Sequence, residues 1–225
     1  MTGVSGMRYE VLEESVLGTG GFLTLRRLRL RVVLADGRVS DEGLYDMVER
    51  EMGLDAVVIC LWLRRGDGVV EVLLRHQPRV PLVFSRPEGD PLSPLRIYEV
   101  VAGILEPDAP TVSVEQAVRN RAAAEILEEA GLSVDPARVH PLGPASFPTP
   151  GMCAERFHFC AAEITEAERA ASVVPVGDGS PFEEGATLRW LPLQEALAMC
   201  AAGEIVDLKT ELTLRRLAQA LHVTP

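Results

Sequence analysis

Basic side chains are scarce in this chain. Against 33 Asp and Glu there are only 22 Lys and Arg, a formal charge of −11 over 225 residues. A nucleic-acid binder meets phosphates with a basic surface, so that class is set aside. The same balance argues against docking on an anionic membrane. Long apolar runs are missing too: the longest, from Ala56 to Leu63, is strand-sized, far short of the ~20 residues that span a bilayer. The opening Met1-Thr-Gly-Val-Ser-Gly-Met7 lacks the charged start and apolar middle of a signal peptide. Cysteine is sparse, and Cys60, Cys153, Cys160 and Cys200 suit a reduced, cytoplasmic protein. Cys153 and Cys160 are spaced too widely for a zinc knuckle. His76, His140, His158 and His222 are scattered, which leaves a histidine metal site or triad without local support.

What is present reads as soluble and globular, 47% hydrophobic and 24% charged, enough for one or two domains with a sizeable core. Residues 8 to 35 read as strands broken at Gly18, Gly20 and Gly21, with arginines partly alternating with apolar residues as on a sheet with one wet face. Residues 41 to 52 read as a short helix. Ala56 to Leu63 suits a buried strand, the Arg64–Gly68 stretch a hairpin turn, and Val69 to Arg75 the returning strand. Five prolines between 76 and 95 predict a long loop, and Ile97 to Val101 another strand. A helix is predicted from Val114 to Ala130, with Ser113 as N-cap and Gly131 as the stop. Strands at 156–164 and 187–191 and helices at 194–202 and 207–222 complete an α+β order without regular βα alternation.

The most informative segment is Glu125-Ile-Leu-Glu-Glu-Ala-Gly-Leu132. On a helix Glu125 and Glu129 stand one turn apart on one face, with Glu128 between them. Such an arc of carboxylates repels itself. Either water and counter-ions offset that on a solvated face, or a divalent cation does. Mg²⁺ takes one or two carboxylates, waters and substrate phosphate oxygens.

Gly103 followed by Glu125, Ile126, Glu128, Glu129, Gly131 and Leu132 resembles the Nudix box, whose pattern is Gly, five residues, Glu, seven residues, Arg-Glu-U-x-Glu-Glu-x-Gly-U with U apolar. The front half departs from it. Ala124 stands at the arginine position, Gln116 at the earlier glutamate and Pro110 at the glycine, so the loop before the helix carries an insertion. Arg121, one turn before Glu125, is the candidate replacement for the arginine, and Glu115 or Glu106 for the glutamate. Beyond the box, Val72-Leu-Leu-Arg-His-Gln-Pro-Arg79 and Glu99 with Ala102-Gly103 are similar to segments of ADP-ribose and nucleotide-sugar pyrophosphatases. So are Pro148, sixteen residues after Leu132, and Pro148-Thr-Pro-Gly151 with Glu155.

The resemblance implies a Nudix-type α/β/α sandwich with a mixed sheet over residues 53–225, and a small antiparallel β region over 1–52 that dimerises the chain. It implies Mg²⁺-dependent (or Mn²⁺-dependent) hydrolysis of the pyrophosphate bond in a nucleoside diphosphate linked to another moiety, ADP-ribose or a nucleotide sugar first among them. Glu125, Glu128, Glu129 and the Ala102 carbonyl would hold metal. Arg79 would clamp phosphate, with Glu99 orienting it. The water-activating base would come from a late loop, Glu184 first and Glu183 second, with Glu128 close to the chemistry. The partners implied are a small nucleotide substrate and a second copy of the chain, with neither nucleic acid nor membrane. Two alternatives remain: a Nudix fold that binds nucleotides without cleaving them, and a hydrolase of a dinucleotide or a coenzyme A derivative.

Overall fold

The computed structural model describes residues 2–4, 6–50, 54–87, 89–90, 96–106, 112–175, 177 and 185–223. The chain separates into two units, one of residues 1–54 with 149–155 and one of 55–148 with 156–225.

In the first unit β1 (Thr2–Val4), β2 (Met7–Gly20), β3 (Leu23–Leu34) and β4 (Gly43–Arg50) form an antiparallel sheet in chain order. The arginines of β3 meet acids on both neighbours. Arg31 pairs with Glu10 at 3.0 Å, Arg29 with Glu13 at 3.0 Å and Arg27 with Asp46 at 2.7 Å. Exposed cross-strand pairs of this kind add little to stability in water, but they favour this register. They also explain why the helix expected over 41–52 is instead strand β4. Its acids lie on the faces of the β3 arginines, Asp46 directly opposite Arg27 and Glu49 two positions from the residue opposite Arg26, with which it pairs at 2.7 Å. A short isolated helix would have offered no such partner. The segment Thr149–Glu155 joins this unit. Tyr45 donates its hydroxyl to the Gly151 carbonyl at 2.7 Å, and Arg50 pairs with Glu155.

The second unit opens with the hairpin of β5 (Ala56–Arg64) and β6 (Val70–Pro78). After it come α1 (Val80–Ser85), β7 (Arg96–Glu99), β8 (Val101–Ile104) and α2 (Val114–Ala130). A 3-10 turn (Pro136–Arg138) leads to β9 (His140–Pro141), β10 (Phe157–Glu163) and α3 (Glu166–Ala170). The unit ends with β11 (Thr187–Pro192), α4 (Leu193–Ala202) and α5 (Leu208–Ala220). The strand order is β11-β6-β5-β10-β9, with β5 and β10 parallel and the other pairs antiparallel. Helix α2 covers one face through Ala122, Ile126 and Ala130, packed among Val57, Ile59, Leu61 and Leu73. Helices α4 and α5 cover the other through Leu197, Leu214 and Leu217, among Val58, Cys60, Val72 and Leu74. The α+β class and the three-layer arrangement are as the sequence implied.

Two local expectations change. The proline-rich stretch expected as one loop contains α1, because Pro81 falls in a first helical turn, where its missing N–H costs nothing. The strand expected over 97–101 is two strands. Val100 turns its N–H to the Thr210 hydroxyl at 3.0 Å instead of to a neighbouring strand. This break positions the site. Strands β5 and β6 pair only from Trp62–Arg64 to Val70–Val72 and then part. Strand β7 pairs with β6 at Arg75–Pro78, and β8 pairs with β5 at Ala56–Ile59, filling the fork.

Candidate active site

Helix α2 lies across the fork, and local chemistry sets both its ends. Ser113 accepts the Gln116 N–H at 3.2 Å. Gly131 adopts φ 65°, ψ 23°, and its N–H closes on the Leu127 carbonyl at 3.1 Å. A Cβ on Gly131 would also fall 1.9 Å from the Val173 carbonyl oxygen, so glycine is required there twice over.

The stripe Ala122, Ile126, Ala130 faces the sheet, which carries Glu125 and Glu129 inward beside it. These two carboxylate residues are 3% and 5% exposed, while Glu128 is half-buried. Glu125 lies against β8: a Cβ on Gly103 would sit 1.4 Å from its Oε1 and 1.9 Å from its Cδ. Glu129 accepts the Ala102 N–H at 3.2 Å and pairs with Arg75 of β6. Arg121, one turn back, pairs with Glu125 and reaches Glu128 at 3.2 Å. The mutual repulsion of the helix carboxylates is thus offset by two arginines. Among the described residues no group of three or more His, Cys, Asp or Glu side chains is arranged around one metal position. The donor set nonetheless fits a hard divalent cation, which needs only one or two protein carboxylates when phosphate oxygens and waters complete its shell. The bare Gly103 backbone provides the room into which the Glu125 carboxylate is drawn.

On the other arm of the fork stands a second cluster. Glu99, 2% exposed, accepts the Arg79 fork at 2.6 Å (Nε) and 3.0 Å (Nη2) and the Gln77 amide at 2.9 Å, and it pairs with Lys209. Lys209 is held in turn by Asp207 at 2.9 Å. Asp207 caps α5 by accepting the Thr210 N–H at 3.1 Å and hydroxyl at 2.6 Å. Burial alone would push the Glu99 carboxyl up; Lys209 and Arg79 outweigh it and hold the group at about 2, against an ordinary 4.5. The folded-state value lies below the unfolded one. The stability Glu99 contributes is therefore complete above about pH 4.5 and is lost as pH falls toward 2, a difference of about 3 kcal/mol. Denaturant titrations of Glu99→Gln should lose this part of the acid dependence. An unchanged slope between pH 4.5 and 2 would show that another group carries it.

Of the residues singled out in the sequence, Glu125, Glu128, Glu129 and Ala102 come together at α2 and β8, and Arg79, between β6 and α1, meets Glu99 at the end of β7. Arg121 stands among the helix carboxylates. The stand-ins for the missing box glutamate do not reach them. Glu115 is 63% exposed, pairs with Arg119 at 2.6 Å, and lies ten residues, about 15 Å along the axis, from Glu125. Glu106 is exposed. Gln116 bonds to Asn120 at 2.8 Å. Pro110, Asp178, Glu183 and Glu184 lie outside the described residues. The chain that leads to the late loop is anchored at the site, since the Gly177 N–H donates to the Glu128 carbonyl at 2.8 Å. Where it returns, the Gly185 carbonyl accepts from Arg96. Sequence reading missed Arg75 and Lys209. Arg75 had a signal, a lone cation at an inward position of an apolar strand. Lys209 had another, being the only lysine in the chain.

No family model matches the chain. Its sequence is 35% identical over 184 residues to a GDP-mannose pyrophosphatase of Yersinia enterocolitica, covering 81% of this chain and 82% of that one. The GDP-mannose pyrophosphatase of Pectobacterium atrosepticum is 34% identical over 160 residues, with 67% and 72% covered. That of an Enterobacter species is 27% identical over 212 residues, with 94% and 95% covered. The fold matches the crystal structure of an ADP compounds hydrolase with a TM-score of 0.62 at 12% identity, over 96% of this chain and 95% of that one. With the box helix laid across the forked sheet and relatives of this similarity over most of its length, the chain belongs to the Nudix hydrolase family, in its ADP-ribose and nucleotide-sugar pyrophosphatase subgroup.

Proposed function

We propose that this enzyme hydrolyses the pyrophosphate bond of a nucleoside diphosphate linked to a sugar, with Mg²⁺ or Mn²⁺ held by Glu125, Glu129, Glu128 and the Ala102 carbonyl. One juxtaposition carries the reading: two buried helix carboxylates against the Ala102-Gly103 backbone, and on the adjoining arm of the fork an arginine clamped on a buried glutamate. When bound, the metal would neutralise pyrophosphate oxygens and lower the pKa of a coordinated water. The chain's own work is positioning and charge. Arg79, whose side chain is 43% exposed, presents a guanidinium whose geometry matches phosphate oxygens, and Glu99 fixes its direction. Arg121 takes the part of the missing box arginine by holding Glu125 and Glu128. GDP-mannose, on which the named relatives act, and ADP-ribose are the first substrates to try. Purified protein should release the nucleoside monophosphate from at least one of them only when Mg²⁺ or Mn²⁺ is added. A panel of nucleotide sugars, dinucleotides and coenzyme A derivatives all left intact would overturn the reading.

The base is assigned to the late loop, Glu184 first and Glu183 second. A carboxylate holding metal is a poor base. The residues flanking this loop are tied to Glu128 and to Arg96, which itself donates to the His76 carbonyl near the Arg79 end of β6. Glu184→Gln should lower turnover about 10²–10⁴-fold, with Mg²⁺ affinity nearly unchanged. If Glu183→Gln carries the loss, the loop is right and the residue wrong.

A homodimer through the first unit completes the proposal. No described side chain in that sheet is fully buried. Val11, Val16, Phe22, Leu23, Leu25 and Leu44 are all exposed, apolar side chains that a second copy of the sheet would cover. Sedimentation should give twice the chain mass at micromolar concentration, and a monomer there would remove this part.

A further inference from the structure

Resting on that reading of the site, we infer that Lys209 is a positioning residue for the phosphate clamp, acting through Glu99 on Arg79. Lysine occurs once in the chain, against 21 arginines, and stands where a cation is turned inward. Its side chain is 12% exposed, and both its ion-pair partners are carboxylates of the same cluster, Glu99 and Asp207. Glu99 in turn holds Arg79 through both oxygens. The order of the contacts makes a chain. Asp207, fixed as the cap of α5, places the ammonium. The ammonium engages Glu99 Oε1, the oxygen that also accepts Arg79 Nη2. Gln77 donates to the other oxygen, which also accepts Arg79 Nε. A carboxylate held at both oxygens cannot rotate, so the arginine fork on it is fixed in direction.

Charge gives the second half of the argument. Glu99 and Asp207 carry two negative charges and Arg79 and Lys209 two positive ones, so the cluster is balanced. Without Lys209 it becomes net negative, and the field at Arg79 turns less favourable to a pyrophosphate. A compact ammonium suits this inner position, since it donates in several directions from a single point. Through Asp207, which accepts from both, the lysine is also linked to the Thr210 hydroxyl that takes the Val100 N–H, the bond at which β7 and β8 break.

The test is a cycle through Glu99. Lys209→Met should raise KM for the cleaved nucleotide sugar about tenfold or more, with kcat changed little, as expected when an interaction that serves binding is lost. Lys209→Arg should restore most of it. In a Glu99→Gln background, where the carboxylate that transmits the effect is gone, Lys209→Met should add nothing. That background also removes the buried charge that could unfold the single variant, so it decides the matter if Lys209→Met alone does not fold. An unchanged KM in folded Lys209→Met overturns the inference. A further rise in the Glu99→Gln background does so too, because Lys209 would then touch the substrate itself. Calorimetric titration with α,β-methylene-ADP repeats the cycle without turnover. A chain that cleaves none of the panel yet shows the same coupling would lose the proposed function and keep the clamp.

Discussion

Replacing Glu129 by glutamine is expected to lower turnover about 10³-fold or more in saturating Mg²⁺, the equivalent of the several kcal/mol that a metal contributes to charge stabilisation and water activation. Glu129 is chosen because its carboxylate reaches both β8 and β6. It is buried, accepts the Ala102 N–H and pairs with Arg75, itself buried. Those contacts also change the expectation for stability. From sequence alone, relief of repulsion within the carboxylate arc would leave the fold untouched by such a change. In the structure the negative charge balances a buried guanidinium, so its removal costs about 1–3 kcal/mol, limited because glutamine keeps an acceptor oxygen. Mg²⁺ titration by calorimetry together with a thermal melt separates the two effects. A folded Glu129→Gln enzyme at wild-type rate would refute the metal assignment.

Gly103→Ala should abolish nearly as much activity, with a similar loss of stability. The new Cβ would occupy the place of the Glu125 carboxylate, 1.4 Å from Oε1 and 2.6 Å from Cγ. No backbone stands among the three nearest atoms, so the cost falls on one flexible side chain, which must swing away from β8. Overpacking of this kind costs about 1–3 kcal/mol, whereas displacing a metal ligand removes several kcal/mol of transition-state stabilisation, about 10³-fold in rate. Adding Glu125→Ala to Gly103→Ala should change the rate little further, since the carboxylate is already lost from the site. A Gly103→Ala enzyme with wild-type metal affinity would show that Glu125 does not act from that position.

Much of the catalytic helix was legible in the chain itself. Ser113 and Gly131 mark its ends because capping chemistry is local, and the spacing of Glu125, Glu128 and Glu129 places them by helical period alone. The apolar runs at 56–63 and 69–75 name the central hairpin for the same reason: periodicity needs no partner to be read. Strand β4 was not legible. Residues 43–50 take their conformation from the arginines of β3, and no propensity within the segment outweighs that pairing. The same holds for the division at Val100, which depends on a threonine 110 residues later. By itself the sequence determined the carboxylate face of α2 and its stop, the buried hairpin and the acidic balance of the surface. The tertiary structure alone decided that Arg75 balances Glu129, that Gly103 makes room for Glu125, and that Lys209 reaches Glu99. These are contacts between different elements, and electrostatic and steric complementarity of that range leaves no period or spacing in a sequence.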